Sequence, residues 1–121
     1  MMRTLALGSL LLLASSAGAV ARCSVPLIRM FEGQTVDGHM LVSSGASCTI
    51  THRYSAGPMF GAEIVQRPSN GTIKIEGTNR IIYRSKTGFV GEDTFTFATR
   101  GQTARGKSVV RTARVAVTVT R

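Results

Sequence analysis

The balance among aliphatic residues constrains the fold of this chain more than any other feature. After residue 21, ten valines and seven isoleucines stand against two leucines, Leu27 and Leu41. Side chains branched at the β-carbon fit the pleated surface of a sheet and lose rotamer freedom in a helix. No segment carries a convincing 3.6-residue period of apolar residues. The composition therefore predicts an all-β fold.

Alternation of apolar and polar residues locates several strands. In residues 48–54, one face carries Cys48, Ile50, His52 and Tyr54 while threonine and arginine point away. The same period of two runs through residues 72–76, 80–84, 94–97 and 113–120. We expect residues 72–76 and 80–84 to form a hairpin, because a Gly-Thr-Asn turn signal separates them.

Turn signals recur about every 8 to 15 residues along the chain. They include Asp37-Gly38, Ser43-Ser44-Gly45, Gly57-Pro58 and the glycines between residues 101 and 106. Many short strands at this spacing are typical of a sandwich and do not fit a βαβ fold. We therefore predict an immunoglobulin-like antiparallel β-sandwich of about seven strands.

The first 21 residues have the pattern of a secretory signal peptide. Arg3 gives a positive start, residues 5–14 are apolar, and Ala19-Val20-Ala21 matches a small-residue cleavage site. Residues 22–121 then form one predicted domain, the length of a single core. They contain no apolar stretch of the roughly 20 residues that cross a bilayer. We expect an extracytoplasmic protein, periplasmic or secreted, with no transmembrane segment.

Both cysteines of the chain, Cys23 and Cys48, follow the predicted cleavage site. Export to an oxidising compartment favours an intradomain disulfide, and a free thiol or an intermolecular bridge is the alternative. A bridge of this loop length stabilises a fold by roughly 3 to 4 kcal/mol in the chain-entropy model. Two thiols without a CxxC spacing, with His39 and His52 lacking neighbouring ligands, do not fit a metal site.

The second half of the chain carries an ordered set of residues. Gly71-Thr72 begins a strand, Tyr83 follows, and Gly88-Phe89-Val90-Gly91-Glu92-Asp93 precedes alternating phenylalanines and a valine-rich end. In this order they resemble the bacterial immunoglobulin-like and cadherin-like repeats of extracellular and surface proteins. The resemblance covers about residues 65–121 and implies a β-sandwich that works in surface binding. Members of that family usually occur as tandem copies, whereas this chain holds one.

The glycine-rich loop of this motif has a physical role of its own. Gly88 and Gly91 permit backbone angles that a β-carbon resists, and Phe89 between them can fold back over the core. Asp93 is predicted to accept hydrogen bonds from turn amides as a structural residue. The alternative is that Asp93 helps to hold a cation, but Glu92-Asp93 is the sole adjacent acidic pair. We expect a structural loop, no metal and no cofactor.

Catalytic candidates are few. Asp37 and His39 would share a face in a strand, and the chain holds many serines that could complete a Ser-His-Asp set. No Gly-x-Ser-x-Gly elbow occurs, and Asp37-Gly38 fits a turn. We interpret His52 as a hydrogen-bonded histidine of the core or its boundary. The sequence predicts a protein that is not an enzyme, and a small secreted hydrolase is the least favoured alternative.

Basic residues are concentrated at the C-terminal end. Residues 22–93 hold eight basic and six acidic side chains, whereas residues 94–121 hold six basic and no acidic ones. If the two last strands pair, residues 100–108 become a loop at one end of the sandwich, where binding loops commonly lie. The predicted binding residues are Arg100, Arg105, Lys107, Arg111 and Arg114.

These features predict a non-enzymatic binding or adhesion module. Its basic hairpin would contact an anionic envelope polymer or an acidic protein face. Nucleic acid is an unlikely partner because export removes the usual target and the patch lacks interleaved aromatic residues. The alternative is a structural subunit of an extracytoplasmic assembly whose charge serves solubility alone.

Overall fold

A computed structural model describes residues 22–53 and 57–121. In these ranges the chain forms eight strands and no helix, which confirms the all-β prediction. The predicted signal peptide and Tyr54 lie outside the described residues. The strands are β1 (Cys23–Ser24), β2 (Thr35–Ser43), β3 (Ser47–Thr51), β4 (Met59–Gln66), β5 (Gly71–Glu76), β6 (Arg80–Ser85), β7 (Gly91–Gln102) and β8 (Ser108–Thr120).

The strands form two sheets, one in the order β1-β2-β8-β7-β4 and one in the order β3-β6-β5. The orders β3-β6-β5 and β4-β7-β8 are those of the B-E-D and C-F-G strands of an immunoglobulin-like sandwich. The short strand β1 brings the number to eight instead of about seven. The strand alternation places Tyr83, Phe95 and Val117 in the shared core, each 0% exposed.

One strand pair departs from the predicted antiparallel arrangement. Strand β2 runs parallel to β8, in register from Thr35 opposite Thr112 to Ser43 opposite Thr120. The turn after β2 leads directly into β3, which lies in the other sheet. Strand β2 and the last strand therefore end side by side, at the end of the sandwich where the chain crosses from β2 to the other sheet.

The predicted turn at Asp37-Gly38 is wrong, because both residues lie inside β2. Gly38 instead allows the side chain of Ile28 to approach the backbone of β2 closely. A β-carbon there would lie 2.5 Å from Cδ1 of Ile28, so the glycine makes room for a side chain that packs against the core. Tertiary packing has overridden the local turn preference of Asp-Gly.

The hairpin between β7 and β8 is tighter than predicted. The ladder continues to Gln102 opposite Ser108, so the loop comprises only residues 103–107. Gly101 is a buried strand residue, where a β-carbon would lie 2.5 Å from the carbonyl oxygen of Pro58. Arg100 consequently lies in β7 and not in the loop.

The disulfide between Cys23 and Cys48 joins β1 of the larger sheet to β3 of the smaller one. Residues 25–34 then run along the side of the sandwich where β2 and β3 meet. Their far end is held by the Gly33 amide, which donates to the carbonyl oxygen of Val110 at 2.8 Å. This N-terminal segment, residues 25–34, is therefore anchored at both ends.

Candidate functional site

The glycine-rich loop adopts a conformation that depends on its glycines. Gly88 and Gly91 have φ angles of 88° and 144°, which L side chains rarely adopt. Phe89 between them is half-buried and packs against the core. A β-carbon at Gly91 would lie 3.3 Å from the ring of Phe89. The loop thus covers one end of the sandwich.

Asp93 is the polar centre of that end. Its Oδ1 accepts hydrogen bonds from the amides of Ser69 and Thr94, at 3.0 and 2.9 Å. Its Oδ2 accepts from the amide of Asn70 at 3.0 Å and from the hydroxyl of Tyr83 at 2.8 Å. Asp93 is only 6% exposed, so these four donors replace its hydration. The carboxylate holds the loop before β5 against the start of β7.

Tyr83 depends on the same contact. Burial, and then the hydrogen bond and negative charge of Asp93, raise the pKa of Tyr83 well above its usual range. The phenol therefore stays protonated and donates throughout the physiological range. This geometry gives Asp93 a structural part. In residues 22–53 and 57–121, no group of three His, Cys, Asp or Glu side chains could hold a metal ion.

Asp37 and His39 do share a face of β2, and both are exposed. That face is the outer one, where the register places Asp37 opposite Arg114 and His39 opposite Ala116. Neither side chain takes part in a hydrogen bond within the described part of the chain.

Four of the five predicted basic residues are exposed, in three environments. Arg105 and Lys107 are exposed in the loop 103–107. Arg100 is exposed on β7 and bonds Glu63 of β4 at 2.9 Å. Arg114 is exposed on the outer face of β8, opposite Asp37 of the neighbouring strand. These four side chains extend from the hairpin loop along the outer face of the larger sheet.

Arg111 does not belong to this surface. It is 3% exposed and bonds the carboxylate of Glu32 at 3.1 Å. Strand β8 begins at Ser108, so the alternation that turns Val109 and Ala113 inward turns Arg111 inward with them. The ion pair between Arg111 and Glu32 instead links β8 to the N-terminal segment. We therefore correct the predicted set by removing Arg111.

A cavity of about 380 Å³ lies between the N-terminal segment and the end of β3. The pattern of single segments did not predict it, because its walls come from parts of the chain that are far apart in sequence. Its lining residues are Val25, Pro26, Leu27, Ile28, Met30, Thr49, Ile50, Thr51, His52, Arg53 and Phe97. The lining is mainly apolar, with a histidine and an arginine at one end of β3.

His52 is buried at the boundary of the core, as predicted, but the expected hydrogen bond of its Nε2 is not formed within residues 22–53 and 57–121. Its backbone amide donates to the carbonyl oxygen of Asn79 at 2.9 Å. The side chain is 9% exposed, and Nε2 has no hydrogen-bond partner in the described residues. Burial, and then the nearby charge of Arg111, lower the pKa of His52. The lowered pKa favours the neutral imidazole at pH 7, and its unpartnered Nε2 is enclosed by the protein with almost no accessible surface.

Comparison with known proteins assigns the chain to no family: no protein-family model matches it, and no curated protein matches it significantly. The described part of the chain contains no helix that is long and apolar enough to span a bilayer. A function must therefore be argued from the side chains themselves.

Replacing Asp93 by asparagine tests the polar centre. The amide group presents N–H donors to amides that already donate, so buried donors lose their acceptor. We expect the variant to lose about 3 kcal/mol of unfolding free energy in urea denaturation. Glu92→Gln, a neighbouring exposed carboxylate, should change it by less than about 0.5 kcal/mol. Equal midpoints for Asp93→Asn and the wild type would contradict the structural part of Asp93.

The pH dependence of stability tests the environment of His52. The other charged groups there are Arg111, its partner Glu32, and Arg53. A folded-state pKa below the unfolded value of about 6.5 means that the unfolded chain binds the proton more readily. Stability from this group is thus present above pH 6.5 and is lost as the pH falls. Denaturation from pH 7.5 to 4.5 should show a shallower loss in His52→Phe, but not in His39→Phe. An identical loss in all three proteins would refute this environment.

Proposed function

We propose that this protein is a non-enzymatic, extracytoplasmic binding module whose basic hairpin end contacts an anionic partner. The partner is an anionic envelope polymer or an acidic protein face. The observation that carries the proposal is the pair Arg105 and Lys107. Both are exposed in the loop 103–107, and neither has an ion pair within residues 22–53 and 57–121.

The surroundings of this pair favour an anion. Arg100, three residues before the loop, is partly neutralised by Glu63. The loop itself contains no acidic residue. Arg105 and Lys107 would not have to break an ion pair within the described residues in order to bind an anion. Their positive charge would accelerate and orient the association with an anionic partner. Within the loop, the Lys107 amide donates to Thr103 Oγ1 at 3.1 Å, which limits the freedom that binding must remove.

Three further features support a binding module outside the cytoplasm. The disulfide fits an oxidising compartment, and the pattern of residues 1–21 fits export. The resemblance of residues 65–121 to bacterial immunoglobulin-like and cadherin-like repeats supports a surface role. Loops at the ends of such sandwiches commonly carry the contacts.

The edge of the larger sheet is a poorer candidate for the contact. Among the described strands, β4 pairs with β7 alone, and it has two irregularities, at Phe60 and Val65, where the register shifts. Both side chains are more than half exposed. Bulges of this kind twist an edge away from further strand pairing. Addition of a partner strand at β4 is therefore disfavoured, and the hairpin is the better surface.

A salt series on fractionated cell envelope tests the proposal. The oxidised domain of residues 22–121 is compared with Arg105→Gln/Lys107→Gln. The control is Lys74→Gln/Arg80→Gln, which removes the same charge from two residues that already bond Glu76. We expect wild-type retention to fall with salt, and retention of the hairpin variant to be at least tenfold weaker at low salt. The control should resemble the wild type.

Two outcomes would contradict this proposal. Equal weakening of both variants would show that net charge acts without a defined surface. A complete lack of wild-type retention at low salt would favour the alternative of a structural subunit, whose assembly survives neutralisation of the hairpin.

A further inference from the structure

Among the described residues, three large apolar side chains with high exposure lie at the hairpin end of the larger sheet. Phe60 is 58% exposed, Phe31 is 55% exposed and Val110 is 44% exposed. The register places Val110 directly opposite Arg100, and Phe60 lines an open hollow of about 280 Å³ together with Arg100. The Gly33 amide, two residues after Phe31, donates to the carbonyl oxygen of Val110. Apolar side chains from three parts of the chain are therefore gathered around one arginine.

The register shift in β4 accounts for the exposure of Phe60. Met59 lies opposite Gly101 and Gly61 lies opposite Arg100, so Phe60 is an additional residue between two pairs of the ladder. A residue added at a bulge leaves the strand alternation, and its side chain can be aimed away from the core. A β-carbon at Gly61 would meet no atom of the described residues within 4 Å. The ring of Phe60 is therefore presented to a partner instead of being covered by its neighbour.

The same end carries cations that can meet an anionic surface. Arg105 and Lys107 are exposed in the hairpin loop, and neither has an ion pair within the described part of the chain. The carboxylate of Glu63 bonds Arg100, and that of Glu32 bonds a buried arginine of β8. Both carboxylates are thus engaged elsewhere and leave the charge of the loop uncompensated.

The placement of cations between apolar side chains favours a lipid bilayer over other anionic partners. An acidic polymer offers no apolar phase to Phe60 and Val110. The core of a protein interface is depleted in charged residues, whereas Arg100 lies between these two apolar side chains. At a bilayer surface, apolar side chains can enter the acyl boundary one by one while cationic groups stay with the phosphates. A bilayer therefore satisfies both kinds of side chain at this end.

We propose that the hairpin end docks on an anionic lipid bilayer. Phe60, Val110 and Phe31 enter the headgroup region, and Arg105 and Lys107 contact the lipid phosphates. This inference rests on the proposed anion-binding hairpin, and it adds a lipid surface that is neither of the partners named there. Apolar insertion as well as charge then determines the affinity.

Co-sedimentation of the oxidised 22–121 domain with vesicles tests the docking. One set of vesicles is phosphatidylcholine alone, and the other is equal parts of phosphatidylcholine and phosphatidylglycerol. The variant Phe60→Thr/Val110→Thr is compared with Val65→Thr/Val90→Thr, because all four residues are exposed and apolar. We expect the wild type and the control pair to bind the anionic vesicles much more tightly than the neutral ones. Phe60→Thr/Val110→Thr should bind the anionic vesicles about tenfold more weakly than the wild type.

A tryptophan reporter locates the contact on the protein. The chain contains no tryptophan, so Phe60→Trp introduces a single indole at the proposed surface. The control is Val90→Trp, which lies just before the start of β7 at the opposite end of the sandwich. Anionic vesicles should shift the emission of Phe60→Trp to shorter wavelength, because the ring leaves water. The emission of Val90→Trp should not change.

Three results would overturn the inference. Wild-type binding that is no stronger with anionic than with neutral vesicles would exclude an anionic lipid surface. Equal weakening of the two threonine pairs would show that Phe60 and Val110 do not form the contact. Unshifted emission of Phe60→Trp on sedimented anionic vesicles would show adsorption by charge without insertion.

These outcomes can be distinguished from failure of the proposed function. If vesicle binding is absent while salt-sensitive envelope retention still depends on Arg105 and Lys107, the lipid partner is refuted and the binding module stands. If envelope retention is absent as well, both proposals are refuted.

Discussion

The disulfide between Cys23 and Cys48 joins two sheets that otherwise meet through their apolar faces. It reaches from the two-residue strand β1 to β3, so it fixes where the chain enters the fold. From that point the N-terminal segment follows the side of the sandwich to Gly33, where the chain enters β2. Along this path Ile28 lies over Gly38, and β2 then pairs in parallel with β8. The cavity exists because the same segment spans β3 without filling the space beside it.

The two ends of the sandwich have different physical characters. At one end Asp93 gathers the amides of Ser69, Asn70 and Thr94 and the hydroxyl of Tyr83, which leaves its carboxylate no acceptor capacity for a ligand. The other end carries the basic hairpin loop, and the cavity lies beside the last residues of β3. The polar groups of the Asp93 end are therefore satisfied by one another, whereas Arg105 and Lys107 at the hairpin end form no ion pair within the described residues.

Local sequence patterns were enough to predict the strands in which apolar and polar residues alternate strictly. Strands β5, β6 and β8 and the disulfide were predicted because period-two burial and the compartment argument do not depend on distant contacts. Strand β4 escaped prediction because its register shifts at Phe60 and Val65 break the alternation. The turn predicted at Asp37-Gly38 was wrong because the role of Gly38 depends on Ile28, ten residues earlier in the chain. Arg111 turns inward because it is an even number of residues from the buried Val115, Val117 and Val119, and extending their alternation back along the predicted strand would have placed it in the core.

Amide hydrogen exchange in the oxidised and reduced protein tests the anchoring of the N-terminal segment most directly. The diagnostic amides are Gly33, which donates to Val110, and Ser43, which donates to Arg22. Reduction should accelerate exchange at both, while the amides of β7 and β8 keep their protection, because those strands pair without the segment. Unchanged exchange at Gly33 and Ser43, or an equal increase in every strand, would contradict the account.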